Sequence, residues 1–303
     1  MSLALGYEAR KRLRRWLHPV EAVPILAAYF LLWLLPLDWA SALGGCLARH
    51  IGPRLPVQRV GRANLAQAFP DWPPERITRT LAGVWENLGR TVAEYPHLAR
   101  IMRERVKIES HISFDDYRRR RAAGQTAIFF SGHCANWEIL PAYAAYLDYP
   151  LITIFRSANN PYVDRLVQRS RRQSGRLVPK GAGGLRDVIA AMKQGQPLGL
   201  LIDQKLNAGI AVPFFGREAM TGTVLAQLAS RFDCPAVPAW VERLAGARFR
   251  LVVGPALDLP ASEDSEADVR ETMSRVNALL EAWIRQRPEQ WLWLHRRWPK
   301  ERA

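Results

Sequence analysis

TAIFFSGHCANWEILPAYAAYL, residues 126–147, is the stretch on which the fold turns. An apolar run of strand length, TAIFFS (126–131), ends at Gly132. A short polar bend carrying His133 follows, and then an apolar segment of helical length, EILPAYAAYL (138–147). The succession strand, bend, helix recurs downstream. LITIF (151–155) precedes YVDRLVQRSRRQ (162–173), RLVP (176–179) precedes LRDVIAAMKQ (185–194), and PLGLLID (197–203) follows. CPAVPAWVE (234–242) and RFRLVV (248–253) are two further candidate strands. Such alternation predicts an α/β fold with a mostly parallel central sheet flanked by helices. Working residues in these sheets gather at the carboxyl ends of strands. His133, Arg156 and Asp203 each stand at or just past such an end.

Upstream, residues 75–95 place Ile77, Leu81, Val84, Leu88 and Val92 on one helical stripe, with Pro73 and Pro74 before it and Pro96 after. Near the other end, Ser265 opens a capping-box pattern, SEAD. A second stripe follows it: Val269, Met273, Val276, Leu280, Trp283 and Ile284. The spacing predicts a long helix in each place, packed by its apolar face.

The amino-terminal region reads differently. RKRLRR (10–15) precedes AVPILAAYFLLWLLPL (22–37), a run without charge that Pro24 and Pro36 punctuate and Asp38 ends. It falls short of the roughly 20 apolar residues of a spanning helix. It also lacks the small-residue pattern of a cleaved signal. Arginines lie on both sides, so charge does not orient a crossing. The expected organisation is a basic and apolar membrane anchor over residues 1–48 and a catalytic domain over 49–303. Whether the anchor spans the bilayer or lies on it stays open at this level.

The chain has 43 Lys and Arg against 28 Asp and Glu, a formal charge of +15. This favours anionic partners such as a membrane surface, an acidic protein or a phosphorylated substrate. No helix-turn-helix, zinc-finger or aromatic-basic RNA motif is visible, so no nucleic-acid partner is expected. Three widely spaced cysteines, Cys46, Cys134 and Cys234, imply neither a disulfide framework nor a metal site.

His133 and Glu138 are five residues apart. On one helix that spacing leaves them about 140° apart, and on one strand they face opposite ways. Across a bend they can meet. His133 then sits in the loop, Asn136 caps the helix and Glu138 lies in its first turn, with Gly132 freeing the bend. Glu138 is expected to fold back on one imidazole nitrogen while the other takes a proton from a hydroxyl. A purely structural pair would have the same spacing. Neither Ser131 nor Cys134 is placed as a nucleophile, so direct attack by a substrate hydroxyl is the simpler chemistry.

The words around the pair add to this. FFSGHCANWE resembles the His-x-x-x-x-Glu/Asp signature of the lysophospholipid acyltransferase superfamily, and its form Gly-His-x-x-Asn-Trp-Glu resembles the late lipid A acyltransferase branch. IFRSANNPYVDRLVQRSRRQSG, GQPLGLLIDQK, VPFFGREAMTGT and QWLWLHRRW resemble the later blocks of that branch, in its order. Ser157 stands where the family often has proline. The resemblance implies an inner-membrane O-acyltransferase facing the cytoplasm. Its donor is an acyl thioester, on acyl carrier protein or coenzyme A, its acceptor a hydroxyl of a lipid A precursor, and it needs no cofactor. It also implies His133 as general base with Glu138 as partner, and Asn136, Arg156, Asp203 and Gln204 as substrate-binding residues. The arginines of RSRR (169–172) suit the acceptor's phosphates, and RRRR (118–121) suits a carrier protein or anionic lipid. Two other readings share the sequence. One is an acyl-CoA-dependent enzyme acting on a phospholipid or mannosylated glycolipid. The other is a basic, membrane-bound binding protein without catalysis.

Overall fold

The computed structural model describes residues 7–299 apart from Gln173, with side chains from residue 17 onward. The side chains of the basic run 10–15 therefore lie outside the described residues. Five helices come first: α1 (Tyr7–Leu34), α2 (Leu37–Ile51), α3 (Gln58–Ala68), α4 (Pro74–Glu94) and α5 (Leu98–Glu104). The α/β part then runs β1 (Val106–Ser110), α6 (Phe114–Ala122), β2 (Ile128–Ser131), α7 (Ile139–Tyr146), β3 (Ile152–Phe155), α8 (Pro161–Ser170), β4 (Arg176–Pro179), α9 (Ala182–Met192) and β5 (Leu198–Leu201). After it come β6 (Lys205–Phe214), β7 (Arg217–Thr221), α10 (Val224–Phe232), β8 (Ala236–Ala245), β9 (Arg248–Val253) and α11 (Ser265–Gln286).

Seven strands form one sheet in the order β1-β9-β8-β2-β5-β3-β4, parallel except where β8 meets β9. All six strands read from the sequence are present. β1 and the antiparallel β6–β7 hairpin were not expected. β1 is half exposed and mixes Lys107 and Glu109 with its apolar residues, so it lacks an unbroken apolar run. The hairpin is interrupted by a bulge between Lys205 and Ile210, which blurs its alternation.

Two apolar clusters sandwich the sheet. One contains Phe130, Leu200, Met273, Val276, Leu280 and Trp283, so the predicted stripe of α11 is its buried face. The other contains Phe129, Ile139, Leu140, Tyr149 and Val237. Phe129 and Phe130 thus point to opposite faces, as adjacent residues of a strand must. The cap of α11 is Asp264, one residue ahead of the predicted Ser265; its carboxylate accepts from the amides of Glu266 and Ala267.

α4 buries Ile77, Leu81 and Val84 as its stripe predicts, but Val92 at its end is 58% exposed. There the buried face turns towards Thr91, Ala93 and Glu94, because α2 packs on that side at very short range. A Cβ on Gly89 would lie 2.2 Å from the carbonyl oxygen of Gly44, and one on Gly44 would lie 2.5 Å from the Cβ of Ala93. Only glycine allows the two backbones to approach this closely. α2 is therefore fastened to α4, whereas α1 lies mainly along α8 and the turn after α4.

Candidate active site

The bend after β2 is held from three sides. Ala135 adopts φ +48°, a left-handed conformation uncommon outside glycine. Its amide donates to the carbonyl of Gln290, and its own carbonyl accepts from Thr91 Oγ1 at 2.9 Å and Asn87 Nδ2 at 3.1 Å. The carbonyl of His133 accepts from the Leu292 amide. The closing segment is thus packed into the site. Trp291, Trp293 and Trp298 are all buried.

β2 and β5 are parallel neighbours, with Ser131 opposite Leu201. His133 and Asp203 each lie two residues beyond that pair, so the register brings them together. Asp203 Oδ1 is 2.7 Å from His133 Nδ1, and Oδ2 accepts from the His133 amide and from Trp291 Nε1, both at 2.7 Å. Asp203 is completely buried. The carboxylate on the imidazole is therefore Asp203 and not Glu138, which corrects the expected pairing. The five-residue spacing leaves out that the adjacent strand delivers a carboxylate at the same depth. That adjacency is a property of strand order.

Glu138, not the expected Asn136, stands at the N-cap position of α7 and makes no side-chain cap bond; Asn136 sits two residues ahead, accepting from the Glu138 amide at 3.2 Å. The Glu138 carboxylate is 3% exposed and accepts from Arg171 Nε at 2.6 Å, from the Arg171 Nη2 group, and from Tyr95 Oη at 2.8 Å. Arg171 belongs to the RSRR run. Trp291 falls in the QWLWLHRRW block, whose resemblance was the one signal for it; Tyr95 and the α4 residues went unread because nothing in the local sequence marks them as site residues.

The polar residues placed at the substrate by sequence divide in two. Asn136 is fully buried, its amide donating to Glu94 Oε2 at 2.8 Å, and Asp203 is taken up by His133 and Trp291. Arg156 and Gln204 are exposed. A pocket of about 190 Å³ opens at His133. Trp137, Glu138, Arg156 and Arg171 line it together with the apolar Leu140, Leu151, Ile154 and Leu200.

Burial disfavours a charged His133, but the charge and hydrogen bond of Asp203 outweigh it, and the imidazole is held above its ordinary value. Glu138 adds to this and Arg171 opposes it. Asp203, despite burial, is held far below the usual carboxylate range by His133. Burial pushes the Cys134 thiol up, and Ser131 Oγ is buried against its neighbour's carbonyl. Neither is a ready nucleophile. Burial and Glu138 also raise the Tyr95 hydroxyl. The amides of His133, Cys134, Ala135, Glu138 and Ile139 all donate within the protein, and Arg156 and Arg171 bring positive charge to the pocket lining. Among the described residues no group of three or more His, Cys, Asp and Glu is arranged to hold a metal.

A pocket lined by an imidazole held on a buried carboxylate, by two arginines and by apolar side chains suits acyl transfer to a phosphorylated acceptor. Comparison with known proteins points the same way. The family model for bacterial lipid A biosynthesis acyltransferases matches residues 9–300. The lipid A biosynthesis palmitoleoyltransferase of Escherichia coli (strain K12) is 25% identical over 277 residues, 88% of each chain. A lipid A biosynthesis acyltransferase of Haemophilus influenzae is 23% identical over 304 residues, 97% of this chain and 92% of that one. The lipid A biosynthesis lauroyltransferase of E. coli is 29% identical over 154 residues, about half of each chain.

Proposed function

The chain belongs to the bacterial lipid A biosynthesis acyltransferase family, and from that premise we propose that His133 is the general base that transfers a fatty acyl chain from a thioester to a hydroxyl of a lipid A precursor. The observation that carries this is the Asp203–His133 contact at the mouth of the pocket. Asp203 fixes Nδ1, so Nε2 is the nitrogen left for substrate. Nε2 takes the hydroxyl proton as the oxygen attacks the thioester carbonyl. The tetrahedral intermediate collapses with cleavage of the carbon–sulfur bond. The imidazolium returns its proton to the departing sulfur, and His133 ends neutral. A thioester is already activated, and the enzyme forms no covalent intermediate.

Glu138 acts in this reading by holding Arg171 at the pocket, where its charge meets the developing oxyanion. Arg156 on the rim takes an acceptor phosphate, and Gln204 stands by for a polar group of the same molecule. The pocket is smaller than the roughly 300–1,000 Å³ that engulfs a whole ligand. It therefore takes the reacting end of the acyl chain and leaves the remainder outside. The donor is acyl carrier protein, drawn by the net positive charge. The enzyme works at the inner membrane from the cytoplasmic side, with residues 1–48 as its attachment and 49–303 as its catalytic part.

The test is acyl transfer by the purified full-length protein, followed by mass spectrometry of a lipid A precursor offered with acyl carrier protein or coenzyme A thioesters. The expected result is addition of one acyl group from the carrier-bound donor, with His133→Ala inactive and Asp203→Asn strongly impaired. Transfer from coenzyme A to a phospholipid, and none to the lipid A precursor, would replace this reading with the phospholipid enzyme. Full activity in His133→Ala would remove the base.

A further inference from the structure

α1 is docked along one narrow edge, on α8 and on the turn after α4, by polar contacts. The carbonyl of His18 accepts from Asn160 Nδ2 at 2.7 Å, Tyr29 Oη lies 3.0 Å from Ser170 Oγ, and His97 Nε2 lies 2.9 Å from the carbonyl of Leu32. Ala22, on the same edge, is fully buried. The rest of its circumference is apolar and exposed: Val20, Val23, Ala27, Leu31 and Leu34 lie opposite the docked edge, Leu26, Phe30 and Trp33 flank it, and Ile25 beside it is 45% exposed.

By length and composition the window Leu17–Leu34 is apolar enough to cross a membrane. The docked stretch, His18 to Leu32, covers nearly all of it, about 21 Å at 1.5 Å per residue. Its neighbour α8 exposes Arg165 and Arg169, and exposed Arg172 follows. A helix crossing the bilayer in this pose would carry those guanidinium groups into hydrocarbon, where arginine is strongly disfavoured. Laid along the surface, the same contacts survive. The apolar face enters the acyl layer and the arginines meet lipid phosphates.

α2 carries a second exposed stripe, Trp39, Leu43, Leu47 and Ile51, four residues apart. Its Gly44–Ala48 side is packed on α4, so it is not free to pair with α1 as a spanning hairpin.

We propose that α1 is an in-plane membrane helix clamped along α8, not a span, and that α2 extends the lipid-facing surface. α8 also borders the pocket, since Arg156 lies just before it and Arg171 just after. The leaflet surface therefore reaches the pocket mouth, and an acceptor lipid can meet His133 without leaving the bilayer. Only this last consequence rests on the function proposed above.

The test is sidedness. In the full-length protein carrying Cys46→Ser, whose remaining cysteines are buried, single cysteines are introduced as Ser2→Cys or as Ala261→Cys, an exposed site on the catalytic part. An impermeant maleimide is applied to spheroplasts and to inverted inner-membrane vesicles. An in-plane helix leaves both positions reactive from the same side; labelling from opposite sides overturns the proposal. Nitroxides at Val20, Ala27 and Leu34 provide a second reading. Equal, shallow depths are expected, whereas a maximum at Ala27 more than twice as deep as at either end would establish a span. Neither readout depends on activity, so failure here and failure of the acyl-transfer assay are separate results.

Discussion

At the scale of single residues, the chemistry depends on which carboxylate holds the imidazole. Asp203→Asn keeps the shape but donates where the carboxylate accepted. It should lower kcat/KM by about 10²–10⁴, measured by single-turnover acyl transfer. The pH dependence follows from the direction of the His133 shift. A general base works when neutral, so wild-type kcat/KM should fall as pH drops through a pKa raised above that of an ordinary histidine. Removing the negative charge at residue 203 should move that acidic limb to lower pH in whatever activity remains. Glu138→Gln weakens the grip on Arg171; it should slow transfer while leaving the acidic limb nearer its wild-type position than Asp203→Asn does. His133 itself was legible because the resemblance and the strand-end position agree. Its partner was not, because the motif pointed to Glu138 alone, and that Asp203 arrives beside the imidazole depends on β2 and β5 being neighbours. Asn136 illustrates the same limit. An asparagine beside a catalytic motif reads as a ligand contact, yet it is buried on Glu94.

At the scale of elements, α4 is the support behind the active-site bend. Glu94 is fully buried and pairs with Arg243 of β8, and it also accepts from Ser41 of α2 and from Asn136. Asn87 and Thr91 reach the carbonyl of Ala135. Arg243→Met would leave the Glu94 carboxylate buried without its cation. Breaking such a pair costs about 3–5 kcal/mol, which denaturant unfolding would register as a lower midpoint. Gly89→Ala forces a Cβ against the backbone of α2. Overpacking of this kind costs about 1–3 kcal/mol, and the loss should appear in Tm with the acidic limb of the activity profile unmoved. The helical stripes and the six apolar strands were readable because burial on a sheet or against it imposes a period on the sequence. β1 and the β6–β7 hairpin, half exposed and bulged, impose almost none. The glycines of α2 read as helix breakers locally, and only the partner helix explains them.

At the scale of the whole molecule, a net charge of +15 and two exposed apolar helical faces act together. Attraction to anionic lipid is screened within about 10 Å at 0.1 M salt, while apolar burial is not. Cosedimentation with phosphatidylglycerol-containing vesicles should therefore weaken as salt rises to about 1 M without being lost. Complete release would mean that charge alone holds the protein to the membrane. Composition pointed to an anionic surface, and the apolar run pointed to an anchor. How the anchor lies against α8 was not in either, since it depends on contacts between residues as far apart as Tyr29 and Ser170. The most direct measurement is mass spectrometry of lipid A from cells lacking this gene and complemented with either the wild-type protein or His133→Ala at equal membrane abundance. The account predicts one acyl chain restored by the wild type and absent with the variant. Equal restoration by both would contradict it.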